Sequence, residues 1–330
     1  MHPSRKTNLH VLICLLACVL CFGGRCEYDN PYAPLEFPAD HAFHFCKAEW
    51  IYFSGVVKTS EGKEFGIMFT IFQFGVVPNI FSYPCMLAIS DPDTKTYYAE
   101  QTSAVFNGEC KFIDGNPVIT SGTSQCRFLP SDKIQINSAI GKLAMDLDLE
   151  SAKNVLLHGE DGIITMGDGN DSGYYSLTDL LPSGTLSINS QKYNITSGRV
   201  WMDHQWGNFN SSWDWFSIRF DDGGALMLFQ FRDADNNVIG GNWTYRDGDN
   251  VVSYGTDFSV TANRTYVVEN TSKSFPLDWD ITIPSLNGKI KVTPLFDDQL
   301  INPTLWEGLC MANGSIGDSP LTGDAYVELQ

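Results

Sequence analysis

Positive charge is scarce in this chain. Its 330 residues include 21 Lys and Arg against 39 Asp and Glu, which gives a formal net charge of −18 at pH 7. Nucleic acids and anionic membrane surfaces are bound mainly through clustered Lys and Arg side chains. The composition therefore argues against a nucleic-acid-binding protein and against attachment to an anionic membrane surface.

Motifs that identify the common catalytic centres are also missing. The sequence has no GxSxG, HExxH or P-loop motif, and no Cys-x-x-Cys pair beyond residue 23. His41, His44 and Glu49 come nearest to a metal-binding group, but their spacing is loose and favours a structural or cavity-lining cluster. We therefore expect no metal ion and no cofactor.

The chain has one long apolar run, residues 11–22. Arg5 and Lys6 precede this run, and Gly23 and Gly24 follow it. A charged region, a short apolar region and small residues, in that order, are typical of a secretory signal peptide, and the run is too short to span a bilayer. We expect residues 1–23 to be removed and the mature protein to be secreted, without an integral membrane segment.

The remaining cysteines and the sequons fit an extracellular protein. Six of the nine cysteines lie beyond residue 23, and an even number in a secreted chain favours disulfide bonds. Cys110 and Cys126 flank a turn-rich segment, so we expect these two to pair. Seven N-x-S/T sequons predict glycosylation on surface loops. They begin at Asn170, Asn194, Asn210, Asn242, Asn263, Asn270 and Asn313.

Alternation with a period of two dominates the rest of the sequence. Residues 143–150 are the clearest case, with Leu or Met at every odd position and Asp or Glu at three of the even ones. Many evenly spaced strands and no long amphipathic helix predict an all-β fold of barrels or sandwiches. The length allows two such domains, which we place at residues 24–208 and 209–330.

The segment GRVWMDHQWGNF, residues 198–209, contains the densest set of reactive groups. On an extended strand, His204 and Trp206 share one face and Asp203 points to the other. An Asp–His pair beside tryptophans is compatible with proton transfer and also with a buried hydrogen-bond lock that closes a barrel. The residues favour the lock for Asp203 and do not decide for His204. Both interpretations remain open from the residues alone.

Several blocks resemble one family in the same order along the chain. They include FPADHAFHFCKAEWIYFSG at residues 37–55, YYSLTDLLPSGTLS at 174–187, VWMDHQWG at 200–207 and YVEL at 326–329. These blocks are similar to those of the AttH and hydroxyneurosporene synthase (carotenoid 1,2-hydratase, CrtC) family, which includes secreted fungal hydratases and has Diels–Alderases as distant relatives. The resemblance implies two lipocalin-like antiparallel β-barrel domains.

The resemblance also implies candidate site residues. In the carotenoid hydratases the proposed active residues are a His and Trp two apart, then a Tyr and Asp two apart. His204 and Trp206 match the first pair, and Asp233 matches the second, where Phe231 replaces the tyrosine. The hypothesis assigns Asp203 and His204 as a proton-handling pair, Asp233 as the activator of water or a second acid, and Trp206 as the shield of a cation. The expected substrate-binding residues are Trp206, Phe231, Trp50, Glu49, His41 and Trp306.

The expected function is that of a hydratase, a hydro-lyase that adds water to a C=C bond without a cofactor. Its substrate would be a small but bulky apolar molecule, such as an isoprenoid, a terpenoid or a prenylated phenolic. A cofactor-free pericyclase or isomerase and a non-catalytic carrier of hydrophobic ligands are the alternatives. The pericyclase needs aromatic walls but no acid and base, and the carrier retains its ligand unchanged.

Overall fold

The computed structural model describes residues 34–77, 80–103 and 105–330, and most of them lie in β-strands. Short 3₁₀ turns occur at Ala39–His41 and Pro284–Leu286. The first group of strands comprises β1 Ala48–Thr59, β2 Glu64–Val77, β3 Ile80–Ser82, β4 Cys85–Asp91, β5 Thr96–Gln101, β6 Glu109–Ile113, β7 Asn116–Ser121, β8 Ser124–Leu129, β9 Lys133–Ile140, β10 Leu143–Ser151, β11 Leu156–Leu157, β12 Ile163–Thr165, β13 Asp171–Ile188 and β14 Gln191–Gly207. The second comprises β15 Ser212–Phe220, β16 Ala225–Arg232, β17 Val238–Arg246, β18 Val252–Gly255, β19 Ser259–Val267, β20 Ser274–Ile283, β21 Gly288–Pro294, β22 Leu300–Asn302, β23 Leu305–Ile316 and β24 Ser319–Leu329.

These strands form two curled antiparallel sheets, which confirms the predicted all-β fold. Within the described residues, the first sheet has fourteen strands in the order β5-β4-β2-β1-β14-β13-β10-β9-β8-β7-β6, with β3, β11 and β12 at its margins. The second sheet has ten in the order β18-β17-β16-β15-β24-β23-β21-β20-β19, with β22 beside β23. The first sheet ends at Gly207 and the second begins at Ser212.

Each sheet curls around its own apolar core, and the alternation of the sequence explains why. In β10, Leu143 and Leu147 are buried in the first core while Asp146 and Asp148 are exposed. Each buried leucine contributes roughly 2 kcal/mol through the apolar surface that it removes from water. Inward-facing residues of β15, β20, β21 and β24 build the second core in the same way.

A third cluster of buried residues lies between the two sheets, whose outer faces pack against each other. It includes Tyr52 and Trp201 from the first sheet and Trp215 and Phe229 from the second. Arg219 stabilises the contact between the two sheets. It pairs with Asp324 of its own sheet, and its Nη1 donates to the Arg199 carbonyl of the first sheet at 2.7 Å. Strands at the contact are therefore buried on both faces.

The predicted disulfide between Cys110 and Cys126 is wrong, since both thiols are free. Ile119 of β7 pairs with Cys110 on one side and with Cys126 on the other, so the two cysteines are two strand spacings apart. That separation is about 9.5 Å, whereas a disulfide requires Cα atoms within about 7 Å. Cys46, in contrast, is disulfide-bonded.

The described residues bear on only some of the predictions about targeting and glycosylation. The predicted signal peptide, residues 1–23, lies outside the described residues. No helix within the described ranges is long and apolar enough to cross a membrane. Six of the seven sequon asparagines are exposed, but Asn242 is half-buried and its amide nitrogen donates to the Thr165 carbonyl at 3.5 Å. Glycosylation remains a prediction.

Candidate active site

Strand β14 divides the candidate residues between two separate clusters. Trp201, Asp203 and Gln205 face the second sheet, whereas His204 and Trp206 face the interior of the first. The predicted opposition of Asp203 and His204 is thus observed. It also means that the hypothesis of a direct proton-handling pair is wrong, because the strand backbone separates the two side chains.

The neighbouring strand β13 is divided in the same way. Its register places Tyr175 opposite His204 and Ser176 opposite Asp203. Since successive side chains alternate, Tyr174 and Ser176 lie between the sheets and Tyr175 lies inside the first. The two adjacent tyrosines of the YYSLTD block therefore serve different clusters.

Asp203 is the centre of the cluster between the sheets, which we call the interface cluster. Tyr174 Oη donates to Asp203 Oδ2 at 2.8 Å, and Trp201 Nε1 and Ser176 Oγ donate to Oδ1, the former at 2.5 Å. Burial raises the pKa of the Asp203 carboxyl to about 7, an effect that these three donors oppose and Glu328 reinforces. A large fraction of Asp203 therefore carries a proton near neutral pH.

Two further carboxyl groups belong to the interface cluster, and both come from the second sheet. Burial raises the pKa of Glu328 on β24 to about 7. Burial and the neighbouring Glu328 raise the pKa of Glu307 on β23 well above its usual range. Tyr52 of the first sheet donates to Glu307 Oε2 at 2.9 Å, so this hydrogen bond spans the two sheets.

Aromatic side chains enclose the space between these acids. Asp203 and Glu328 line a cavity of about 10 Å³ together with Trp50, Trp213 and Trp215. This volume is about what a single water molecule requires. The indole faces can stabilise a positive charge by cation–π attraction. The interface cluster thus combines proton donors, room for water and walls that suit a cation.

The second group, which we call the histidine cluster, lies inside the first sheet and consists of His41, His44, Glu49, Tyr175 and His204. Glu49 Oε1 lies 2.8 Å from His44 Nδ1 and 2.8 Å from His204 Nε2. The backbone N–H of His44 also donates to both Glu49 oxygens. Tyr175 Oη lies 3.1 Å from His204 Nδ1 and 2.6 Å from His41 Nδ1.

Electrostatics give the members of the histidine cluster different protonation states. Burial favours neutral imidazoles, and it lowers the pKa of His41 to about 3 and lowers that of His204. His44 differs because Glu49 and Asp40 overcome the effect of burial and raise its pKa to about 9. Burial alone would raise the pKa of Glu49, but His44 and His204 lower it. At neutral pH the cluster contains one imidazolium beside ionised Glu49.

Trp206 packs against the histidine cluster rather than against Asp203. Its ring stacks on His44 with centroids 3.8 Å apart and an interplanar angle of 9°. Gly173 makes this possible, because a Cβ there would lie 2.2 Å from the indole. Beside the cluster is a cavity of about 220 Å³, lined by Asp40, His44 and Phe43 among others. The structure therefore places Trp206, the expected cation shield, on the face of β14 opposite Asp203.

Three other predicted residues fall outside both polar clusters. Asp233 lies in the turn between β16 and β17, where its carboxylate accepts from Asp235 and Asn237, so its predicted role as activator of water at Asp203 is wrong. Trp306 is buried in the second core, where its Nε1 donates to the Asp297 carbonyl at 2.7 Å, and its contact with substrate stays a prediction. Phe231 packs between the sheets, 5.6 Å from the ring of Phe229.

Of the other candidates, Trp50 lines the interface cavity, and Glu49 and His41 belong to the histidine cluster. The sequence interpretation missed Tyr174, Ser176, Glu307 and Glu328 as site residues. The only signal for them was their position within or next to the blocks that carry the family resemblance. Nothing in their local pattern predicts that they converge.

Fold and site together define a two-sheet β protein with ionisable clusters on both faces of one central strand. A profile of the AttH-like family matches residues 28–330, and the chain belongs to this family. The family membership inferred from the sequence blocks is thereby confirmed.

Known relatives agree with this assignment. The AttH protein of Nitrosomonas europaea has a crystal structure that is similar with a TM-score of 0.79 and 25% identity, over 91% of this chain and 97% of that one. Kievitone hydratase from Nectria haematococca is similar with a TM-score of 0.74 and 19% identity, over 93% and 97% of the two chains, which shows a shared fold. The dehydratase asqC of Emericella nidulans is 23% identical over 213 residues, 59% of this chain. The match spans 60% of the length of that relative.

Proposed function

We propose that this protein is a hydratase-like hydro-lyase that adds water to, or removes it from, a C=C bond of a bulky apolar substrate. The observation that carries the proposal is Asp203, a buried carboxyl with a pKa of about 7 beside three indoles. A general acid is most effective when its pKa lies near the working pH. The names of two similar proteins, a hydratase and a dehydratase, support the same reaction class.

The interface cluster supplies each part of the reaction. Protonated Asp203 transfers its proton to one alkene carbon, which leaves a cation on the other. Trp213 and Trp215 stabilise that cation by about 2 kcal/mol. Water attacks the cation while ionised Glu328 accepts its proton, so that water is added across the double bond. Proton return from Glu328 to Asp203 completes the cycle, and the reverse sequence eliminates water.

Hydrogen-bond donors around Asp203 favour this proton transfer. Tyr174, Ser176 and Trp201 already point their donors at the carboxyl oxygens. When Asp203 loses its proton, these fixed donors stabilise the negative charge that forms, without reorganisation. The donors therefore lower the energy of the ion pair between carboxylate and carbocation.

A bulky substrate requires side chains to move, because the cavity now has the volume of about one water. Of the three indoles that line it, Trp50 is the partly exposed one. Its ring lies 5.6 Å from that of Trp213 and 5.5 Å from that of Phe209. We assign Trp50 as the side chain that must turn outward to admit the substrate.

The proposed setting of this reaction is extracellular. The order of regions in residues 1–23 supports secretion. The disulfide at Cys46 and the exposure of most sequon asparagines agree with an oxidising secretory route. Sequencing the N-terminus of the secreted protein tests this setting, and a start at Met1 would contradict it.

The reaction is tested with a panel of prenylated phenolics and terpenoids in water enriched in heavy oxygen. A hydratase incorporates the heavy isotope into product, which mass spectrometry detects. The Asp203→Asn variant should lose turnover, while Asp233→Asn, the matched control in an exposed turn, should keep it. Full turnover in Asp203→Asn without label in the product would instead indicate a pericyclase. Stoichiometric retention of unchanged ligand would indicate a carrier.

A further inference from the structure

The histidine cluster brings one ligand atom from each of three buried side chains within 4.8 Å of one another. We propose that His44, Glu49 and His204 form a binding site for a divalent transition-metal ion, with zinc as the expected occupant. The site lies inside the first sheet, and the proposal does not depend on the reaction assigned to the interface cluster.

Three ligand atoms of the right kinds converge in the cluster. One ligand atom each from His44, Glu49 and His204 lies within 4.8 Å of the other two. Two imidazole nitrogens and one carboxylate oxygen form a set that zinc adopts in catalytic sites. The ligand atoms around a tetrahedral zinc ion are about 3.3 Å apart, given bonds of about 2.0–2.1 Å. The 2.8 Å contacts of Glu49 Oε1 therefore need to open by only about 0.5 Å.

Each ligand also has a partner that fixes its orientation. His44 directs its second ring nitrogen, Nε2, at Asp40 Oδ1 over 3.0 Å. His204 directs its second nitrogen, Nδ1, at the Tyr175 hydroxyl over 3.1 Å. The backbone N–H of His44 fixes the Glu49 carboxylate, because it donates to Oε1 at 3.0 Å and to Oε2 at 2.8 Å. Metal-binding histidines usually have such a second partner, most often a carboxylate, a carbonyl or water, and its loss weakens metal binding by about 10–100-fold.

The surroundings allow a metal ion to enter and keep one position for a further ligand. The cavity of about 220 Å³ is lined by His44 and Asp40, so it reaches the cluster. Three protein ligands leave the fourth position of a tetrahedral ion for water or a small molecule. The sequence places His44 and Glu49 close together, but it gives no sign that His204 joins them, because His204 lies 155 residues after Glu49.

Metal content and binding are measured on the full secreted chain without a polyhistidine tag. After treatment with a chelator and re-addition of zinc, elemental analysis should find one zinc per chain, and zinc but not magnesium should raise the Tm. Cobalt substituted for zinc should show the visible bands of a tetrahedral ion. All four histidines within the described residues are buried. Zinc measured on this part of the chain is therefore not bound at an exposed histidine.

Variants locate the ion. Glu49→Gln should abolish stoichiometric binding, and Asp40→Asn should weaken it by about 10–100-fold. The matched control is Asp203→Asn, next to His204 in sequence but on the opposite face of β14, which should bind zinc normally. If Glu49→Gln does not fold, zinc binding by the Asp40→Asn variant and by the wild type still tests the proposal. The proposal is overturned if folded wild-type protein takes up no zinc or cobalt, or if Glu49→Gln retains one equivalent. The Asp203→Asn variant separates this test from that of the proposed reaction, because it should lose hydratase activity and still bind zinc.

Discussion

Replacing Asp203 by Asn tests the proposed acid, because the side chain keeps its size and loses its ionisable proton. Burial raises the pKa of Asp203 from 3.8 to about 7, so the folded protein retains a proton where the unfolded chain is ionised. This proton stabilises the fold fully below about pH 4, and its contribution is lost as the pH rises through about 7. One pKa unit is about 1.36 kcal/mol, so the loss from about pH 5 to about pH 8 is roughly 3 kcal/mol.

Urea unfolding at a series of pH values measures this effect as the difference between wild type and Asp203→Asn. The wild type should lose roughly 3 kcal/mol more free energy of unfolding than the variant between about pH 5 and about pH 8. Taking the difference removes titrations common to both proteins. In the same pH series, kcat/KM of the wild type should fall above about pH 7, and the variant should be at least about 100-fold slower. Parallel stability curves would refute the reasoning, because they would show that Asp203 is ionised in the fold.

Three further substitutions each test one part of the structure: the histidine cluster, the interface cavity and the turn between β16 and β17. Glu49→Gln leaves His44 without its buried counter-charge and should lower the free energy of unfolding by about 3–5 kcal/mol in a urea titration; a loss below about 1 kcal/mol would contradict a buried ion pair. Trp213→Ala removes an indole that the proposal assigns to the cation and should lower kcat by roughly tenfold or more through lost cation stabilisation, and an unchanged kcat would remove Trp213 from the reaction. Asp233→Ala should leave kcat and KM unchanged and lower the Tm slightly, since its carboxylate only organises an exposed turn; a large fall in kcat would restore it as a catalytic residue.

Local patterns in the sequence predict strands and faces well. The alternation in β10 correctly separates buried from exposed positions, and the period of two correctly places Asp203 and His204 on opposite faces. The same rule cannot say what each face meets. Residues 200–207 of β14 are buried on both sides, because one face meets the first core and the other meets the second sheet.

Contacts between distant parts of the chain explain why several predictions from the sequence are wrong. Tyr52 bonds to Glu307, 255 residues further on, and no local pattern indicates that these two meet. The pairing of Cys110 with Cys126 looked reasonable along the chain, but β7 lies between their strands. Asp233 matched a family spacing, yet it falls where β16 ends and the turn begins.

The division of β14 between two clusters has a consequence for the chemistry. Burial is the largest influence on Asp203 and the neighbouring Glu328 carboxyl adds to it, so the pKa of Asp203 rises to about 7. On the other face of the same strand, Glu49 has two imidazole neighbours and its pKa falls. Had Asp203 lain beside His44, the imidazolium would have kept it ionised and unable to donate a proton. The strand backbone that separates the histidine cluster from the interface cluster is therefore what allows Asp203 to keep a proton near neutral pH, as the proposed acid requires.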